Sequence, residues 1–152
     1  LKMGCGASGL LVTEVKKQMR SVIVDTDLAI IDGSPGIGCP VIASLSGVDM
    51  VLIVAEPSVS GISDMKRIIK TAAIFQVSVA VCINKYDIDM SNTAKIEAFC
   101  EKQRLPLAGR IPFDTAAVAA INNGRTVVDM DCPAGSAVRD VFSQIMSILF
   151  KI

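Results

Sequence analysis

The chain predicts an α/β fold built on a parallel sheet with helices on both faces. Three observations carry this. Short apolar runs rich in Val, Ile and Ala alternate with amphipathic stretches along the length of the sequence. Hydrophobic residues make up 51% of the 152 residues while aromatics make up 4%, and mean hydropathy is +0.54. That composition suits strands buried on both faces, not strands with one wet face. Finally, polar or conformationally special residues stand at the ends of successive runs: Asp32-Gly33, Glu56-Pro57, Asn84-Lys85-Tyr86-Asp87 and Pro112-Phe113-Asp114. In parallel sheets, ligands bind beyond the carboxyl ends of the strands, so these four clusters mark one candidate edge.

Taken in order, Leu1 to Leu11 reads as a glycine-rich loop, and Thr13 as the cap of a helix to about Val22. Val15, Met19, Val22 and Ile23 would form that helix's apolar face, with Lys16, Lys17 and Arg20 as a solvated face. Leu28 to Asp32 reads as the first strand, followed by a loop of small residues and a short helix over Val41 to Leu45. Met50 to Ala55 is a second buried strand. Ser58 or Ser60 opens a helix to about Phe75, with Ile62, Met65, Ile68, Ile69, Ala72 and Ala73 on its apolar face. Val77 to Ile83 is the third strand, and Ser91 caps a helix to about Gln103. Leu107 to Ile111 is the fourth strand. Thr115 to Asn122 is helical and stops at Asn123-Gly124, Val127 to Cys132 is irregular, and a final helix opens at Pro133 or Ala134. Val138, Val141, Phe142, Ile145, Ile148, Leu149 and Ile152 line one side of that helix. Its flanks carry few basic residues, which favours core packing over a membrane surface.

Composition excludes several function classes. The sequence contains 15 basic and 15 acidic residues, so net charge gives no electrostatic case for nucleic acid. It contains no His, which removes Ser-His-Asp triads and imidazole metal ligands. Its five cysteines form no C-x-x-C pair, which argues against a disulfide framework or a self-contained zinc or iron–sulfur site. A reducing, cytoplasmic setting fits that usage. No apolar run reaches the roughly 18 residues of a membrane span.

The strand ends suit nucleotide chemistry. A carboxylate at Asp32, delivered to a glycine-rich turn, suits Mg²⁺ held directly or through water. Glycines at 33, 36 and 38 let backbone N–H groups approach an anion, and let the loop rearrange around it. Asn84 offers both an amide donor and a carbonyl acceptor. Asp87, at N-K-x-D spacing, can accept two N–H bonds from a guanine. Pro112 and Phe113 can wall a purine ring, or simply pack.

As an ordered set, these motifs resemble the MinD/ParA group of P-loop ATPases. The residues that carry the resemblance are Ile31-Asp-Gly-Ser-Pro-Gly-Ile-Gly38, Val51 to Ser60, Gly61 to Ile68, Ile83-Asn-Lys-Tyr-Asp87, Ile111-Pro-Phe-Asp114 and Asn123-Gly124. Ser8 to Val12, Gly36 to Ala43 and Cys82 to Asp87 are most similar to the branch that carries an inserted ferredoxin domain. The resemblance implies ATP and Mg²⁺ at a homodimer interface, with a protein partner possible. It makes Asp32 the catalytic acidic residue, holding Mg²⁺ through water, and makes Gly33, Pro35, Gly36 and Gly38 the loop that senses the γ-phosphate. Asn84 and Asp87 would be nucleotide-binding, Pro112, Phe113 and Asp114 would border the base, and Ser60 to Asp64 would lie towards the dimer interface.

Two departures from the family pattern matter. The 152 residues contain no G-K-[GT]-rich phosphate loop, and they lack the closely spaced cysteines of a ferredoxin insertion. The expectation is therefore a single domain that forms the C-terminal portion of a longer ATPase. Its 4Fe-4S clusters would lie upstream, and the segment by itself would be inactive. The resemblance also places a phosphate-loop strand between Leu28–Asp32 and Met50–Ala55. Without it, the segment is expected to dimerise, aggregate or pair those two strands directly. A GTP-binding switch and a non-enzymatic interaction module are the alternative readings.

Overall fold

The computed structural model describes residues 7–22, 26–34, 36 and 38–151. Its centre is a three-stranded parallel sheet in the order β1-β2-β3, formed by β1 (Met50–Ala55), β2 (Ser78–Asn84) and β3 (Leu107–Ile111). β1 and β2 run in unbroken register from Met50 opposite Ser78 to Ala55 opposite Ile83. The β2–β3 ladder shifts between Val81 and Cys82 and then places Asn84 opposite Ile111. The helices are α1 (Ala7–Val22), α2 (Cys39–Leu45), α3 (Val59–Ile74), α4 (Met90–Gln103), α5 (Thr115–Asn122) and α6 (Pro133–Phe150), with one 3₁₀ turn at Val127–Asp129.

Strand alternation divides the core into two layers. On one face Ile53, Ala55, Val81 and Ile83 pack with Met65 of α3 and with Ile96 and Cys100 of α4. On the other, Ala80, Cys82 and Ala108 pack with Val141 and Ile145 of α6. The second face is made of small residues, and α6 comes close: a Cβ built on Gly109 would stand 2.7 Å from Val141 Cγ2. Burial pushes the Cys82 thiol up to about 11, so Cys82 acts as a small apolar side chain, as its place in a strand predicts.

The two sheet edges differ. β3 is flanked by Pro106 and Pro112, contains Gly109, and presents Arg110, which pairs with Glu97 at 3.1 Å and lies over the Tyr86 ring at 5.6 Å. Prolines and charge discourage further strand pairing. β1 contains neither, and Leu52 and Val54 are exposed along it at 37% and 56%.

Three sequence expectations are corrected. Leu28 to Asp32 forms no strand and does not pair with β1: Ala29, Ile30 and Asp32 are exposed, Ile30 at 76%. An apolar run becomes a strand only where a ladder partner lies alongside it. Thr13 is not a helix cap. The helix already begins at Ala7, and the Thr13 hydroxyl donates back to the Gly9 carbonyl at 3.0 Å. The basic run on α1 is not wholly solvated either. Lys16 is 7% exposed while Val15 and Val22 are exposed, because the Lys16 ammonium meets the carbonyl end of α2. Two smaller differences concern caps. Asp89 rather than Ser91 caps α4, accepting the Asn92 N–H at 2.9 Å. A Thr126–Asp129 capping box winds part of the expected irregular stretch into a 3₁₀ turn. The remaining helix and strand boundaries agree with expectation to within a few residues. Among the described residues, no helix is long and apolar enough to cross a membrane.

Candidate functional site at the carboxyl ends of the strands

Parallel pairing brings the ends of β1, β2 and β3 to one edge, and with them Glu56, Asn84, Lys85, Asp87, Pro112, Phe113 and Asp114. Hydrogen bonds lock these ends to one another. Lys85, in a left-handed conformation at φ 53°, reaches from the end of β2 to Glu56 at the end of β1, at 2.6 Å. Both side chains are well exposed, so the pair is worth at most about 1 kcal/mol and serves mainly to orient its members. On the other side, Asp87 Oδ1 accepts the Phe113 N–H at 2.7 Å and the Ile111 carbonyl accepts the Tyr86 N–H at 3.2 Å. Asp114 caps α5 through the Ala116 N–H at 2.8 Å and also accepts the Ala134 N–H at the start of α6, at 3.2 Å. Those two backbone donors hold its carboxyl below the usual range.

Below this edge, α4 supplies buried polar support that the motif reading missed. The Thr93 hydroxyl is 1% exposed as a residue and donates to the Tyr86 carbonyl at 2.6 Å. Asn92, also buried, donates to Asp89 Oδ2 at 2.8 Å and, more weakly, to the Pro57 carbonyl at 3.4 Å. The available signal was the T and N in the first turn of a helix following N-K-x-D, but one helix's pattern does not reveal which loop it supports. Thr93→Val keeps the shape and orphans the Tyr86 carbonyl. It is expected to destabilise the protein by about 1–3 kcal/mol, to be read from urea melts; a neutral result would show that water replaces the hydroxyl.

Asn84 stands in the middle of the edge. It is half-buried, and its side-chain amide makes no hydrogen bond to another described residue. Phe113, the residue after Pro112, is 52% exposed, so it is not an ordinary core aromatic. An amide with free donor and acceptor on the same edge as an exposed aromatic suits the edge and face of a planar heterocycle. Asp87 already spends one oxygen on the Phe113 N–H, which weakens its use as a two-oxygen reader of guanine. Two clefts, one between β3 and α6 and one between α4 and β3, are lined by residues other than Asn84 and Phe113. With Phe113, Glu56 and Lys85 exposed, the edge forms an open shelf.

The loop of small residues is a separate feature. Asp32, Gly33, Gly36 and Gly38 are exposed; Pro35 lies outside the described residues. Gly36 has φ +94°, which its lack of a side chain permits. Gly38 begins α2, its carbonyl accepting the Val41 and Ile42 N–H groups at 3.0 and 3.2 Å. No hydrogen bond or ion pair joins Asp32 to the strand-end residues among the described residues. They also gather no group of three potential metal ligands.

No family model matches the chain. An uncharacterized protein of Methanocaldococcus jannaschii is 26% identical over 149 residues, covering 98% of this chain and 50% of that protein. The septum site-determining protein MinD of Helicobacter pylori is 26% identical over 139 residues, covering 84% and 52% respectively. The solved MinD cell division protein of Aquifex aeolicus superposes with a TM-score of 0.73 at 23% identity, over 91% of this chain and 61% of that one. The chain is thus similar to MinD proteins in sequence and in fold. The MinD-like likeness agrees with the small parallel sheet and its flanking helices, and so with the expected fold class. The chain spans about half the length of these two curated relatives.

Proposed function

We propose that these residues form the base-side and γ-phosphate-sensing part of an ATP site in a MinD-like ATPase. The observation that carries this is the strand-end shelf, where Asn84, half-buried at the end of the central strand and with no side-chain hydrogen bond among the described residues, shares one edge with the exposed Phe113. On this reading Asn84 contacts adenine. Pro112 and Phe113 border the ring, and Asp114 holds their turn against α5 and α6. Asp87 fixes the turn from the β2 side, which favours adenine over the guanine alternative.

Asp32 fits Mg²⁺ as a single exposed carboxylate acting through water. Mg²⁺ commonly takes one or two protein carboxylates, waters and substrate phosphates, so a single carboxylate suffices for that role. Bound there, the ion would neutralise phosphate charge; this chain's part is to offer the Asp32 carboxylate and the backbone donors of Gly33, Gly36 and Gly38. The phosphate loop itself is not in these 152 residues and has to come from elsewhere in the same protein or assembly. The free cysteines at 39, 82, 100 and 132 do not fit an iron–sulfur cluster, since two are buried and no three potential ligands converge among the described residues. Any clusters of the ferredoxin-bearing branch would therefore be held outside these residues. A cytoplasmic homodimer, with the start of α3 towards the partner, completes the proposal.

The test uses the protein that joins these residues to a phosphate loop. ATP is expected to bind in preference to GTP, and Asn84→Ala to weaken ATP by about tenfold, the loss of one buried polar contact. Asp32→Ala is expected to lower turnover by at least about a hundredfold while ATP binding largely survives. Preference for GTP, or unchanged turnover in Asp32→Ala, would overturn the assignment.

A further inference from the structure

Helix α2 has seven residues, no basic residue in its last turn, and an extended C-cap at Ser46 (φ −70°, ψ 122°). Its own sequence therefore leaves the final carbonyls without partners. Helix α1 supplies them. The Lys16 ammonium donates to the carbonyls of Ala43 at 3.2 Å, Ser44 at 3.0 Å and Ser46. Three donors meet three acceptors, and Lys16 has no carboxylate partner among the described residues. One turn further along α1, Arg20 Nη2 donates to the Gly47 carbonyl at 2.9 Å. Gly47, at φ +68°, lies so close to Arg20 that a Cβ there would stand 2.8 Å from Nη2. The negative end of the α2 dipole favours both cations.

The caged turn also touches the loop of small residues. A Cβ built on Gly33 would stand 3.5 Å from Ser44 Oγ, and Ser44 gives its carbonyl to Lys16. Gly33 follows Asp32 directly.

We propose that the C-terminal end of α2 is a carbonyl cation site, filled in cis by the Lys16 ammonium, which makes Lys16 a positioning residue for the turn that leads from α2 into β1. The cage stands on its own geometry. A primary ammonium suits the cage because it offers three donors to three carbonyls.

The test is amide hydrogen exchange on the 152-residue chain, without nucleotide, so failure of the ATP reading leaves it intact. Lys16→Met keeps the apolar stem and removes the charge. It is expected to speed exchange over residues 39–47 by about tenfold or more, the loss of charge-assisted hydrogen bonds, with residues 78–84 unchanged. Lys16→Ala opens room for a free cation. Ethylammonium chloride is expected to restore slow exchange in that variant, and tetramethylammonium chloride at equal ionic strength is not. Wild-type exchange in Lys16→Met, equal rescue by both salts, or faster exchange spreading to residues 78–84 would each overturn the proposal.

Discussion

Ile83→Ala is expected to destabilise the protein by about 2–5 kcal/mol, a large share of a small protein's total. Ile83 is fully buried on the central strand. Its register neighbours are Ala55 on β1 and Arg110 on β3, and Met65, Ile96 and Cys100 pack on the same face. Truncation leaves a hole that two ladders and two helices prevent from collapsing. Ile83 also immediately precedes Asn84, so the strand-end shelf should loosen with the core. Urea melts measure the cost, and Ile30→Ala is the control. Ile30 is largely exposed and belongs to neither core layer, so its truncation should change stability by no more than about 0.5 kcal/mol. Equal effects of the two substitutions would contradict the division between core and surface described above.

Gly61→Ala carries the second large effect. Alanine is the better helix former by about 1 kcal/mol, so propensity alone predicts a gain. Geometry predicts the opposite. A Cβ on Gly61 would stand 2.4 Å from the Glu56 carbonyl oxygen and 3.1 Å from Ser58 Oγ. The first obstacle is backbone and cannot rotate away. The same carbonyl accepts the Ser58 N–H at 2.8 Å, while Ser58 Oγ accepts the Gly61 N–H at 3.0 Å. Alanine must therefore push the start of α3 off the end of β1, at an expected net cost of about 1–3 kcal/mol. The displacement should also break the Glu56–Lys85 contact. Thermal melts give the sign, and NMR shifts of Lys85 report the ion pair; a more stable variant would show that α3 can yield.

The sequence was most informative where one element carries its own evidence. The apolar runs at Met50 to Ala55 and Leu107 to Ile111, the Ser58 cap and the Asn123-Gly124 stop all appear where local composition places them. So does the convergence of Asn84, Asp87 and Phe113, because alternating strands and helices force a parallel sheet and its shared edge. It was least informative where a second element decides. Nothing within α1 shows that Lys16 faces the end of another helix. Nothing within Leu28 to Asp32 shows whether a strand partner is present. Nothing in the N-K-x-D spacing shows that Asp87 Oδ1 accepts the Phe113 N–H, a contact between residues 26 positions apart.

The unequal borders of the sheet give it a direction of growth. Prolines, a glycine and a paired arginine close the β3 side, so any strand that joins does so beside Met50 to Ala55. The newcomer would meet Leu52 and Val54 first, and those two side chains would select its apolar spacing. A strand that enlarges this sheet, from the same polypeptide or another, is therefore favoured on the side of the Glu56 carboxylate over that of Asp114. Growth of the sheet is in that sense one-handed, and the favoured entrance is apolar.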